Sequence, residues 1–282
     1  MTTVSAARIR SADPPNGTSA TGRNRPIVSF EGVGKTFNAH GKNLEAVRDI
    51  NLSVRDGEFV TLVGPSGCGK STLLNMTAGL MAPTCGTVRY AGELVRGVHG
   101  HVGYMTQNDH LLPWRTVAGN IEVPPEIRSM PRRQRADRVA QLIDMVGLKG
   151  FEKSYPTQIS GGMRKRTALA RVLAYDPETL LMDEPFAALD AQLRLQMQAD
   201  LLALCTKLGK TVMFVTHDLD EAIALADRCV VFSSRPGSIM RVIETGLPHA
   251  RDLVDLRFDR KFLDLAHELW ETLTPALRRR QE

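Results

Sequence analysis

Cysteine is scarce in this chain: Cys68, Cys85, Cys205 and Cys229 are the four among 282 residues. No two stand as C-x-x-C and none keep metal-ligand spacing, so the usage fits reduced thiols in a cytosol. Aromatic residues make up 5%, too few for a base-stacking platform, which argues against nucleic acid as a partner. No apolar run approaches the roughly 18 residues that a membrane span needs. Residues 1–24 lack the apolar stretch of a signal peptide. If the protein works at a membrane, another chain must cross it. The remaining composition is ordinary for a globular protein, with 43% hydrophobic and 24% charged residues, and the length allows one large domain or two modest ones. Net charge is +5, with much of the excess in Arg8, Arg10, Arg23, Arg25, Arg278, Arg279 and Arg280. Solvation of tails is the commoner meaning of such charge, and attraction to an anionic membrane face the alternative.

What is present in strength is one stretch, Gly64-Pro65-Ser66-Gly67-Cys68-Gly69-Lys70-Ser71-Thr72. It fits the phosphate-loop pattern G-x-x-x-x-G-K-[ST]. Glycines at 67 and 69 let the backbone aim its N–H groups into one nest, and a nest at a helix start favours anions. Lys70 reaches for the β- and γ-phosphates, and the Ser71 hydroxyl suits Mg²⁺. The flanks agree: Phe59-Val60-Thr61-Leu62-Val63 reads as a buried strand and residues 71–80 as a helix. Cys68, in the nest beside Lys70, is expected to have a lowered pKa, so that thiol reagents inhibit and the bound phosphate ligand protects.

Along the chain, residues 1–25 are rich in Ser, Thr, Ala, Pro and Gly and are expected to be disordered. Short antiparallel strands are predicted at 27–30, 44–51 and 52–54, with Asp56-Gly57 as a turn. Phe37, in the loop after Lys35-Thr36, is placed either to stack on a purine or to anchor that loop. Strands are predicted at 87–90 and 101–104, and Pro124, Pro125 and Pro131 punctuate the region beyond them. Residues 132–146 form a helix with Val139, Leu142, Ile143 and Val146 on one face, and Gly147 as its C-cap. Residues 107–160 therefore form a mostly helical insert.

Ser160 caps a second helix start, Ser160-Gly161-Gly162-Met163, whose helix ends near Ala174. Thr179-Leu180-Leu181-Met182-Asp183-Glu184 is an apolar run ending in two carboxylates, as in a strand buried on both faces. A helix over 190–208 carries Leu193, Met197, Leu201, Leu204 and Leu208 on one face. Residues 211–216 form another buried strand, ending at His217, and 229–232 the last core strand. Residues 234–251 are loop and edge structure, and 260–277 a terminal helix. Strands thus end at Val63, Met182 and Thr216, each followed by groups able to do phosphate, metal or water chemistry. Such ends line one rim of an open α/β sheet.

With these residues in place the chain resembles the nucleotide-binding subunit of an ABC transporter, over about residues 27–236. The phosphate loop matches that family's Walker A motif, and Ile159-Ser160-Gly161-Gly162-Met163 its L-S-G-G-Q signature. Leu180-Leu181-Met182-Asp183 matches Walker B, with Glu184 after it. Ala187-Ala188-Leu189-Asp190 matches the next loop, His217 the switch histidine and Gln107 the hinge-loop glutamine. The resemblance implies an α/β fold: a P-loop NTPase (RecA-like) core with an antiparallel β subdomain and an inserted α-helical subdomain. It implies a tail at 1–25, an ATPase domain at 26–236 and a C-terminal extension at 237–282. It also implies ATP and Mg²⁺ as cofactors and a head-to-tail homodimer. Each ATP would lie between the Walker A loop of one copy and Ser160, Gly161, Gly162 and Met163 of the other. Phe37 and Asp190 complete the nucleotide contacts. Ser71, Gln107 and Asp183 would serve the metal. Glu184 would act as base or water positioner, and Lys70 and His217 would stabilise the γ-phosphate in the transition state.

The further partners implied are integral membrane permease subunits and, through them, a solute-binding protein. The location implied is the cytoplasmic face of the cell membrane. Three segments resemble the nitrate, taurine and aliphatic-sulfonate importers: residues 111–117, Ser160-Gly161-Gly162-Met163-Arg164, and Arg235-Pro236-Gly237-Ser238-Ile239 with 247–251. Two departures are Lys165, where that branch usually has Gln, and Ala187, where Ser is common. Leu111, Leu112 and Trp114 either dock the permease or pack the insert on the core. Alternatives are the ATPase of an exporter or of another importer, a non-transport ABC ATPase, and a P-loop kinase. About 90 residues separate Lys70 from Ser160 without sustained heptads, which disfavours a repair ATPase with its coiled coil.

Overall fold

The structure, a computed structural model, describes residues 26–39, 42–187, 189–248 and 251–278. The expected disorder of residues 1–25 and the motif residue Ala188 lie outside them. The chain opens with two long strands, β1 (Pro26–Ala39) and β2 (Lys42–Arg55), paired antiparallel. The three short pieces expected there are two continuous strands, because β-bulges between Phe30 and Thr36 absorb the breaks in alternation. Phe37 is therefore no loop residue: it lies in β1 opposite Leu44. Next come β3 (Phe59–Val63), α1 (Lys70–Thr77), β4 (Cys85–Tyr90), β5 (Glu93–Leu94) and β6 (Val102–Met105). The helix α1 ends before Leu80, since Gly79 takes φ 71°.

The insert holds α2 (Val117–Ile127) and α3 (Arg132–Met145), followed by α4 (Gly161–Ala174). Helix α2 continues through Pro124 and Pro125 instead of breaking there. Asn120, fully buried, anchors its first turn: its amide accepts from Leu112 N and donates to the Leu112, Arg115 and Thr116 carbonyls. Past α3, Val146 is the cap and Gly147, at φ 66°, the left-handed residue after it. The remaining elements are β7 (Thr179–Asp183), α5 (Ala191–Leu208), β8 (Thr211–Val215), α6 (Leu219–Leu225), β9 (Arg228–Phe232), β10 (Ile239–Glu244) and α7 (Arg260–Arg278). Leu208 is 40% exposed, off the buried face expected of it, because the last turn of α5 runs past the core to Gly209.

Two sheets result, in the orders β2-β1-β4-β5 and β10-β9-β3-β8-β7-β6. In the second, β9, β3, β8, β7 and β6 are parallel, and β10 is an antiparallel edge. Alternation along each central strand feeds two cores. Val60, Leu62, Leu181, Met213 and Val215 join α1 and the antiparallel sheet, whereas Phe59, Val63, Leu180, Met182 and Phe214 face the helices of the other layer. The first strand, β3, sits between β8 and β9. That is where strand order reverses, and ligands bind at such a point beyond the strand ends. The division expected at 236 cuts the sheet: β10 pairs with β9, and α7 buries Phe262, Leu265, Leu269 and Leu273 in the larger core.

Candidate functional site

Parallel register aligns the working ends. Leu62 and Asp183 both pair with Val215, so β3, β8 and β7 finish side by side. From the end of β3 the chain turns through the phosphate loop into α1. Gly69 takes φ 97° at the helix N-cap, and a Cβ there would stand 2.3 Å from Val47 Cγ1. Only glycine meets both demands. Lys70 is 6% exposed, and its ammonium donates to the Gly64 carbonyl at 2.8 Å and the Pro65 carbonyl at 3.0 Å. It is thus held across the loop by acceptors that phosphate oxygens can replace. Thr72 lies half-buried on α1.

The Ser71 hydroxyl donates to Asp183 Oδ1 at 3.0 Å. Burial pushes the Asp183 carboxyl up, and the Ser71 hydrogen bond opposes this. A hydroxyl and a carboxylate meeting beside a phosphate nest are hard oxygen donors of the kind Mg²⁺ takes. One residue on, Glu184 adopts φ 47°, and its N–H donates to the Val215 carbonyl at 3.0 Å. This left-handed turn swings Glu184 away from Asp183 and toward β8. Its Oε2 lies 3.1 Å from His217 Nδ1.

Behind His217, the Thr216 hydroxyl donates to buried Glu221, whose other oxygen accepts from Gln198 Nε2 at 2.9 Å. Asp218 caps α6 and also receives Arg194 Nη1 at 3.3 Å.

The two helix starts differ in company. Ser160 Oγ accepts from Met163 N at 3.3 Å and caps α4, as its sequence pattern requires. A Cβ on Gly162 would sit 2.4 Å from Leu193 Cδ2, so α4 packs closely on α5. Asp190 caps α5, accepting from Leu193 N at 2.9 Å. Among the described residues, no hydrogen bond or ion pair joins Ser160, Gly161, Gly162 or Met163 to the phosphate loop, Asp183, Glu184 or His217 within one chain. Gln107 is exposed just after β6, with its carbonyl engaged by Lys165. Phe37 is half-buried in β1, with Lys35 Nζ 5.4 Å from its ring centre. Trp114 is 71% exposed, Leu112 is half-buried, and Leu111 packs on the core.

Cys68 departs from expectation. It is 1% exposed, and burial pushes its thiol up against the opposing influence of Lys70. The side chain turns inward toward Gly64, where burial outweighs the pull of the Lys70 ammonium.

Sequence reasoning gave no role to Arg235. Its Nε and Nη2 both donate to the Gly67 carbonyl at 3.2 Å. Next to it Gly237 N donates to the Ala46 carbonyl at 2.9 Å, and a Cβ on Gly237 would fall 1.9 Å from the Cys68 carbonyl oxygen. The Arg-Pro-Gly triplet thus braces the phosphate loop from behind. Its only sequence signal was that it marked a family branch.

Comparison with known proteins agrees with this arrangement. The ABC transporter family model matches residues 47–187. An uncharacterized ABC transporter ATP-binding protein of Methanocaldococcus jannaschii is 47% identical over 82% of this chain and 86% of its own length. An aliphatic sulfonates import ATP-binding protein of Bacillus cereus is 44% identical over 79% of this chain and 88% of its own length. A dimeric ATP-binding cassette in a post-hydrolysis state, bound to ADP and Pi, superposes with TM-score 0.69 at 31% identity, covering 77% of this chain and 98% of that one. The loop between β3 and α1, the carboxylates after β7 and these relatives converge: the chain belongs to the ABC transporter family, as an ATP-binding subunit and an ATPase.

Proposed function

We propose that two copies of the chain pair head to tail around ATP and couple its hydrolysis to uptake of a small anionic solute. One observation carries the catalytic part of this reading. At the ends of neighbouring strands, Ser71 meets Asp183 and Glu184 meets His217. Ser71 and Asp183, with Gln107 from the hinge loop, would hold Mg²⁺, which neutralises phosphate charge when bound. Lys70 exchanges its two loop carbonyls for β- and γ-phosphate oxygens. Glu184 accepts a proton from the attacking water as that water's oxygen bonds to the γ-phosphorus and ADP leaves. His217 orients the Glu184 carboxylate and contacts the γ-phosphate. A carboxylate only accepts, so Nδ1 carries the hydrogen in the Glu184 contact; Nε2 then donates to phosphate only as imidazolium. Catalysis of this kind is positioning and charge stabilisation.

Among the described residues, Ser160, Gly161, Gly162 and Met163 make no hydrogen bond or ion pair with the phosphate loop, Asp183, Glu184 or His217, which favours their closing on the ATP of a second copy. Phe37 lies against the base, and Asp190 orients α5 beneath the signature helix. The permease crosses the membrane, since no helix among the described residues is long and apolar enough to do so. Exposed Trp114 is part of the surface it meets. The subunit then works at the cytoplasmic face of the cell membrane. The named activity of the Bacillus cereus relative supports a sulfonate-type solute, and sulfonates, taurine and nitrate added in turn to the copurified transporter with its binding protein distinguish these.

Glu184→Gln tests the mechanism. It should bind ATP as the parent does, lose at least about a hundredfold in turnover, and accumulate an ATP-loaded dimer. Hydrolysis at the parent rate would remove Glu184 from its role.

A further inference from the structure

One helix holds both the face turned to a second copy and the loop that carries Gln107. Ser160 begins α4, and three cations further along α4 reach the segment after β6. The Lys165 ammonium donates to the Gln107 carbonyl. Arg171 donates through Nη2 to the Asp109 carbonyl and through Nη1 to the His110 carbonyl, both at 2.7 Å. Arg164 Nε stands 3.3 Å from Asp109 Oδ2. Of the three, Lys165 is the buried one, at 5% exposure. The only acceptor its ammonium has among the described hydrogen bonds and ion pairs is Gln107. A buried charge that loses its partner is strongly penalised, so the segment cannot leave α4 without a large loss.

We propose that Lys165 is a positioning residue that makes the Gln107 loop move as one body with the signature helix. Engagement of α4 by the second copy and engagement of Gln107 at the γ-phosphate then become a single event. The proposal rests on the reading of Gln107 as a γ-phosphate-side group.

The test compares Lys165→Met with Lys165→Gln in the full chain. Met keeps the length and removes the donor; Gln keeps a donor and removes the charge. The Met variant should lose about tenfold or more in kcat with KM for ATP within about twofold, since small misplacement of a catalytic-site group has effects of this size. The Gln variant should recover most of the loss. Equal loss in both variants, kcat unchanged in both, or a rise in KM alone overturns the proposal. The unaltered chain gives a second measurement that no folding defect can obscure. Saturating MgATP should change amide exchange at 107–110 and at 161–166 together, and a change confined to the loop overturns the coupling. Glu184→Gln in the same assays separates the two ideas. If it hydrolyses normally, the reading of the site fails and takes the inference with it; if it is inactive and Lys165→Met is not, only the inference fails.

Discussion

Cys68 shows how one side chain's direction decides its chemistry. The residue sits in the phosphate loop, yet its thiol faces the core and is pushed up by burial. Cys85 in β4 is exposed. Limited alkylation near neutral pH, followed by peptide mass spectrometry, should therefore label Cys85 first and leave Cys68 largely unmodified with or without MgATP. Faster labelling at Cys68 would mean the loop opens on its own. Motif spacing placed Cys68 correctly in the chain but said nothing of which way it points, because inward and outward positions in a turn of glycines have no period. The same limit hid the Glu184–His217 contact. It depends on the left-handed backbone at Glu184, a conformation that a glutamate gives no local sign of adopting and that carries roughly 1–2 kcal/mol of strain.

Among elements, the caps were the legible part. Ser160 reads as a cap and accepts from the backbone three residues on, whereas Asp190, which reads as the first residue of its helix, is that helix's cap. Buried polar pins were not legible, since Asn120 and Glu221 look in sequence like surface residues of amphipathic helices. Glu221 is 6% exposed and fixes the turn from β8 to α6 that presents His217. Burial, the largest influence, pushes its carboxyl up despite the Thr216 and Gln198 hydrogen bonds. A carboxyl whose folded value is raised favours the folded state at low pH and loses that advantage as pH rises through the ordinary glutamate range. Glu221→Gln should therefore gain stability relative to the parent as pH goes from about 4 to about 7. Paired thermal melts at both values read this, and a constant difference would contradict it.

On the scale of the whole molecule, sequence reasoning separated what folding joins. The buried runs at 59–63, 179–183 and 211–215 announced a parallel sheet, because strands covered on both faces need no alternation. Residues 234–251 read only as loop and edge structure, and the helix over 260–277 gave no sign of what it packs against. Yet Leu269 on α7 is fully buried in the larger core. Leu269→Ala should lower stability by about 2–5 kcal/mol in denaturant unfolding and leave ATP affinity of the folded protein unchanged. A loss below about 0.5 kcal/mol, the usual range for surface changes, would show that the terminal helix is an appendage after all.

The brace formed by Arg235 and Gly237 has a consequence in time. The phosphate loop is complete in sequence by Thr72, but its backing arrives more than half the chain later, when Arg235 reaches the Gly67 carbonyl and Gly237 closes on Ala46. During synthesis the ribosome therefore releases the whole nucleotide-gripping motif long before the residues that hold it in shape. A growing chain carries the motif without its support through the whole stretch from Thr72 to Arg235, and gains a finished grip on nucleotide only once that stretch has been made.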